Sequence, residues 1–169
     1  PVSGVWGRRV GGVLRPMWAQ FAQARELHRL YHHVQHLQGR DFVGRLLQEL
    51  RVTIDYDPAE LRRIPAQGAF VALANHPCGM LDGLVLLHLL GSVRPDFRAV
   101  ANELLAPLLP NLGEALALVN PARGAAGRNT PGVRRLLRYL HNDVPLGLFP
   151  AGEVAHRAAP FRPALDPAW

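Results

Sequence analysis

The chain has 169 residues, about half of them apolar, and a formal charge of +6. This is a globular composition long enough for one domain core, so a disordered chain is excluded. The single cysteine, Cys78, excludes an internal disulfide, and no apolar run approaches the ~20 residues that span a bilayer.

The charge is uneven. Every basic residue is Arg, and up to Arg40 there are six (Arg8, Arg9, Arg15, Arg25, Arg29 and Arg40) against one acid, Glu26. A basic leading segment suits an anionic partner, membrane lipid or nucleic acid, and also suits a solvated helix face. Residues Val13 to Gln38 read as a helix, with Met17, Phe21, Ala24, Leu27, Tyr31 and Val34 at three- and four-residue steps. Gly39 is placed to stop it. "DFVGRLLQEL" reads as a short helix with Asp41 as cap, and the alternating, β-branched "RVTIDYD" as a strand. "PAELRR" is a helical turn opened by Pro58. "GAFVALA", apolar at every position, reads as a buried central strand.

Met80 to Leu90 reads as a helix and "FRAVA" as a strand, followed by a short helix from Glu103 to Leu109 that Pro110 stops. "EALALV" reads as a strand and "NPARGAAGRN" as a loop. "TPGVRRLLRYLHN" reads as a helix, with Thr130 at the cap and Pro131 at its first position. "PLGLFPAGE" is a strand running into a loop. From Arg51 onward strands and helices alternate. The pattern predicts an α/β fold: a mostly parallel central sheet flanked by helices, preceded by an amphipathic, basic N-terminal helical segment. It divides into a leading segment, residues 1–40, and a domain, residues 41–169. Ligands of such sheets sit beyond the carboxyl ends of the strands. Three loops belong there: Asn75 to Asp82, Asn120 to Asn129 and Pro150 to His156.

The first of these loops, within "ANHPCGMLDG", holds His76, Cys78 and Asp82. Histidine titrates near neutral pH and serves as a general base, and a carboxylate can fix its tautomer and stabilise the imidazolium. Equally, Asp82 can cap the next helix while His76 fills the turn. Cys78 suits a Cys–His dyad less well than it suits a small residue in a tight turn. His28, His32 and His36, with His33 beside them, share a helix face, but no HExxH and no acid in sequence reach complete a metal site. A polar, Arg-rich face fits them better, and no metal is expected. His88 and His141, in apolar helical contexts, read as structural. "NPARGAAGRNT" lacks the marks of a nucleotide loop, although Arg123 and Arg128 suit a phosphate or carboxylate. In "LFPAGE", Gly152 permits close approach of backbone to ligand ahead of Glu153.

Taken in order, "NHPCGMLDG", "ALALVNPAR" and "LFPAGEVA" resemble the blocks of the glycerolipid acyltransferase superfamily, which includes the lysophosphatidic acid acyltransferases. The first resembles its N-H-x-x-x-x-D motif and the last its F-P-E-G motif. "IPAQGAFVALANHP" and "FPAGEVA" are similar to a bacterial hemolysin-like branch that includes acyltransferases making ornithine lipids. The resemblance spans roughly Ile64 to His156. Two departures stand out: five residues rather than four separate His76 from Asp82, and "FPAGE" carries its acid one place late. The family's later strand block would follow Trp169, so the chain reads as a C-terminally incomplete piece.

The resemblance implies transfer of a fatty acyl group from acyl-CoA or acyl-carrier protein, as co-substrate, to a hydroxyl of a lysophospholipid-type or lyso-ornithine-lipid acceptor. His76 would be the base and Asp82 its partner. Asn75, Arg123, Pro150, Gly152 and Glu153 would form the acceptor side. No further cofactor is implied. The basic leading helix would rest on the membrane surface, placing the protein peripherally on the cytoplasmic face of the inner membrane, with no nucleic-acid partner. The rival reading is a basic nucleic-acid- or membrane-binding module without catalysis.

Overall fold

The structure, a computed structural model, describes residues 29–120 and 126–152. The chain divides into two units, residues 1–36 and 37–169. In the first, residues 29–34 are helical and 35–36 form a turn; the rest of the expected leading helix, residues 13–28, lies outside the described residues. Gly39 does not stop a helix but opens one, with a φ of 53°. This is α1, Gly39–Glu49, two residues longer at its start than Asp41 suggests. Asp41 sits in its first turn, where a carboxylate favours the helix dipole. Phe42, Val43, Leu46 and Leu47, at helical spacing, form its buried stripe. Arg45 and Glu49 pair at 2.7 Å on the outside.

"RVTIDYD" is not a strand. Arg51 takes a φ of 54°, and the segment that follows runs extended without a strand partner. Alternation there reflects half-burial of Val52 and Ile54 and not sheet pairing. Asp57 ends it by accepting the Ala59 N–H at 2.7 Å, capping the four-residue α2, Pro58–Leu61.

The second unit is an α/β fold on a four-stranded sheet, every strand parallel. The strands are β1 (Val71–Leu73), β2 (Arg98–Asn102), β3 (Leu116–Val119) and β4 (Leu146–Leu148), in the spatial order β1-β4-β2-β3. Helices α3 (Met80–Val93) and α4 (Ala126–His141) make the crossovers. Right-handed crossovers running in opposite directions across the sheet put these helices on opposite faces. Side-chain packing agrees. The backbone of Gly147 faces Leu86 of α3, whereas Arg98, in register with the neighbouring Leu146, packs on Tyr139 of α4.

β1 is an edge strand and not the buried centre that its composition suggests. Val71 and Leu73 are 46% and 55% exposed, because α4 packs over β3 and β4 and stops short of β1. The core lies on the other side, where Leu84 and Leu87 of α3 and Phe42 and Val43 of α1 are buried with Phe97 and Ala99. Pro110 starts a tight helical turn, Pro110–Ala115, where a stop was expected, and Glu103–Leu105 forms only a single short turn. α4 begins at Ala126 and not at Thr130, so Pro131 lies inside it just past the first turn.

The opposite, amino-terminal end of the sheet is tied by Arg94, a residue that no sequence pattern singles out. Its buried guanidinium donates to the Gly68 carbonyl at 2.6 Å and the Asp143 carbonyl at 2.8 Å. It also makes a forked contact with Asp96 at 3.0 and 2.8 Å. One side chain thus joins the approaches to β1, β2 and β4. The hydrogen bonds from Arg94 hold the Asp96 carboxyl below the ordinary carboxylate range.

Candidate active site

The loop after β1 carries His76. It leaves an edge strand whose register with β4, Leu73 against Leu148, sets Ala74 and Phe149 side by side. The Ala74 N–H extends the ladder to the Leu148 carbonyl. Two residues further along each chain, local geometry takes over. Gly79 adopts φ 66° and ψ −130°, a conformation open to glycine, and α3 starts at the next residue. That reversal folds the first turn of α3 back over the loop.

The result is a three-way contact on one carboxylate. Asp82 Oδ2 lies 3.1 Å from His76 Nδ1 and accepts the Cys78 backbone N–H at 2.8 Å. Both side chains are more than four-fifths buried. The five-residue separation therefore still closes the His–Asp contact. The two readings of the sequence also merge, since Asp82 satisfies a backbone donor ahead of its own helix and holds the imidazole in the same act. With Nδ1 facing a carboxylate, the tautomer assigned to His76 is Nδ1–H, which makes Nε2 the basic nitrogen of the ring. The Phe149 ring stacks on the imidazole, with centroids 4.1 Å apart and planes 17° from parallel.

His76 stands at the rim of a pocket of about 440 Å³ at the carboxyl edge of the sheet. Its walls are apolar: Leu84 and Leu87 from α3, Ala99 and Ala101 from β2, and Leu109 and Leu112 from the turns before β3. Gly79, Met80, Leu104, Phe149 and Gly152 also line it, and Asn102 joins His76 as a polar member among lining residues that are otherwise apolar or glycine. Sequence reading missed Phe149 and these leucines. Phe149 lay inside a quoted motif, but its partner sits on another strand. The leucines carry no chemical mark that separates a pocket wall from a core.

The other expected residues fare differently. Gly152, with φ 71°, lines the pocket. Asn75 is exposed and Pro150 half-buried, and neither lines it. Arg123 and Glu153 lie outside the described residues, as does the side chain of Arg128. Cys78 is exposed, and its backbone rather than its sulfur joins the His–Asp contact. His88 and His141 are exposed, which corrects their structural assignment. His88 borders a groove of about 750 Å³ with Arg40 and Arg45, none of which lines the apolar pocket. Among the described residues no group of three or more His, Cys, Asp or Glu side chains is arranged to hold a metal ion, and no helix is long and apolar enough to cross a membrane.

Comparison with protein-family models, curated proteins and solved structures found no match to this chain.

Proposed function

We propose that this chain carries an O-acyltransferase site that moves a fatty acyl group from an acyl-CoA or acyl-carrier-protein thioester to a lipid hydroxyl. The observation that carries this reading is the His76–Asp82 pair at the rim of an apolar pocket. A base beside a polar cleft would serve many reactions; a base beside about 440 Å³ of leucine-lined space suits an acyl chain. The acceptor class is a lysophospholipid-type or lyso-ornithine lipid, in keeping with the resemblance of the three ordered motifs.

His76 Nε2 takes the acceptor hydroxyl proton as its oxygen attacks the thioester carbon. Asp82, on Nδ1–H, stabilises the imidazolium that results. The tetrahedral oxyanion forms beside Gly79 and Met80, where the amino end of the α3 dipole offers positive charge. Its collapse breaks the carbon–sulfur bond, and His76 returns the proton to the departing thiolate. Phe149 keeps the imidazole plane fixed and shields one face from water. The protein works peripherally, at the cytoplasmic face of the inner membrane, where its acceptor resides.

The test supplies bacterial lipid extract with acyl-CoA and acyl-carrier protein in separate reactions and follows products by mass spectrometry. A new acylated lipid that disappears in folded His76→Ala supports the reading and identifies the acceptor. A product made equally by wild type and variant, or by neither with either donor, removes it.

A further inference from the structure

Helix α4 presents a surface that this site does not use. Gly132, Leu136, Tyr139 and Leu140 are half-buried, and Tyr139 lies beneath the Arg98 guanidinium at 4.7 Å. Val133, Leu137, His141, Arg134 and Arg138, all exposed, form an adjoining stripe along one side of the helix, and Arg135, also exposed, lies on the other side. Val133 and Leu137 are 45% and 57% exposed, and their spacing sets them one turn apart on the same side. The helix contains no Asp or Glu at all. Among the described residues no ion pair engages Arg134, Arg135 or Arg138.

Three kinds of environment can be weighed against this face. Water accounts for the arginines but not for two apolar side chains set among them. A surface helix facing only solvent places polar residues there. A nucleic-acid backbone would engage the arginines and leave Val133 and Leu137 idle. An anionic bilayer uses both the arginines and the apolar side chains of the stripe Val133, Leu137, Arg134 and Arg138. Guanidinium groups meet lipid phosphates, while valine and leucine enter the boundary between head groups and acyl chains.

We propose that the outer side of α4 is a docking surface for an anionic lipid bilayer, with Arg134 and Arg138 as the charge contact and Val133 and Leu137 as the inserted residues. This stands apart from the acyl-transfer reading, since α4 covers the sheet face away from the pocket. It is also distinct from any role of the basic leading segment.

A reporter on α4 itself separates these contributions. In the full chain carrying Cys78→Ser and Leu137→Cys, an environment-sensitive fluorophore is attached at the new thiol. Vesicles of phosphatidylcholine with phosphatidylglycerol should shift its emission to the blue, and brominated acyl chains should quench it. Pure phosphatidylcholine should do neither. Adding Arg134→Glu and Arg138→Glu should weaken partition roughly tenfold or more, given the attraction of each cation to an anionic surface. The label in the unreversed chain keeps the test valid even if the double variant misfolds. Three results overturn the proposal: the chain sediments with anionic vesicles while the label stays unshifted; the label responds equally to neutral vesicles; or duplex DNA at physiological salt shifts it and vesicles do not.

Discussion

Phe149 lies flat against His76, their ring centroids 4.1 Å apart. The two residues are 73 positions apart in the chain, yet each follows the end of its own strand, β4 and β1, and those strands are hydrogen-bonded neighbours. Strand pairing therefore builds this contact, while a local turn at Gly79 builds the one between His76 and Asp82. The imidazole is held in plane by one partner and in tautomer by the other. That division of labour shapes what each substitution should do.

Replacing His76 by Ala should lower acyl transfer by about 10²–10⁴-fold, the usual contribution of a positioned base. Asp82→Asn should also lower the rate, because an amide cannot stabilise the imidazolium that forms as the proton is taken. Turnover measured on both folded variants checks this. An unchanged rate in Asp82→Asn would detach Asp82 from the proton transfer.

Cys78 should be dispensable. Its backbone N–H, not its sulfur, bonds Asp82, and that donor survives substitution. Cys78→Ala should keep wild-type rates and resist inactivation by thiol reagents. A collapse of activity in Cys78→Ala with intact circular dichroism would revive a cysteine nucleophile.

Gly147 should be intolerant of a side chain. A Cβ there would fall 2.4 Å from Phe97 Cζ and 2.7 Å from Leu86 Cδ2. Phe97 is buried and cannot retreat freely. Gly147→Ala should destabilise the fold by about 1–3 kcal/mol, the range for overpacking a core. Urea unfolding of both proteins, compared through their midpoints, measures it.

Asp96 should confer stability that disappears in acid. Its folded pKa is lowered by hydrogen bonds from Arg94, so the contribution is fully present above the unfolded carboxylate value, ~3.9, and is lost as pH falls through the lower folded value. Wild type should therefore exceed Asp96→Asn in unfolding free energy at neutral pH, with the gap closing below that range. Arg94→Met should be more costly at every pH, by roughly 2–4 kcal/mol, since it also strands the Gly68 and Asp143 carbonyls. Chemical unfolding of the three proteins at neutral and acid pH decides both points.

Much was legible from residue order alone. The alternation of apolar runs with helical patterns after Arg51 sufficed for an α/β fold, because each run must bury its own face. Pro58 opened its helical turn as read, whereas Gly39 and Pro110 open helical segments where stops were expected and Thr130 lies inside the helix it was expected to cap. The motif "NHPCGMLDG" located the candidate site's local half, since His76 and Asp82, with five residues between them, close within one loop and one helical turn. The spatial order β1-β4-β2-β3 was not legible. Composition reports that a segment is apolar and not which neighbour covers it, so "GAFVALA" read as a central strand although it lies at the edge. For the same reason "RVTIDYD" read as a strand although no partner reaches it. The stacking of Phe149 on His76, the leucine wall of the pocket and the Arg94 tie all join residues distant in sequence. Their existence depends on which strands pair and which faces the crossover helices cover, and only the folded chain decides that.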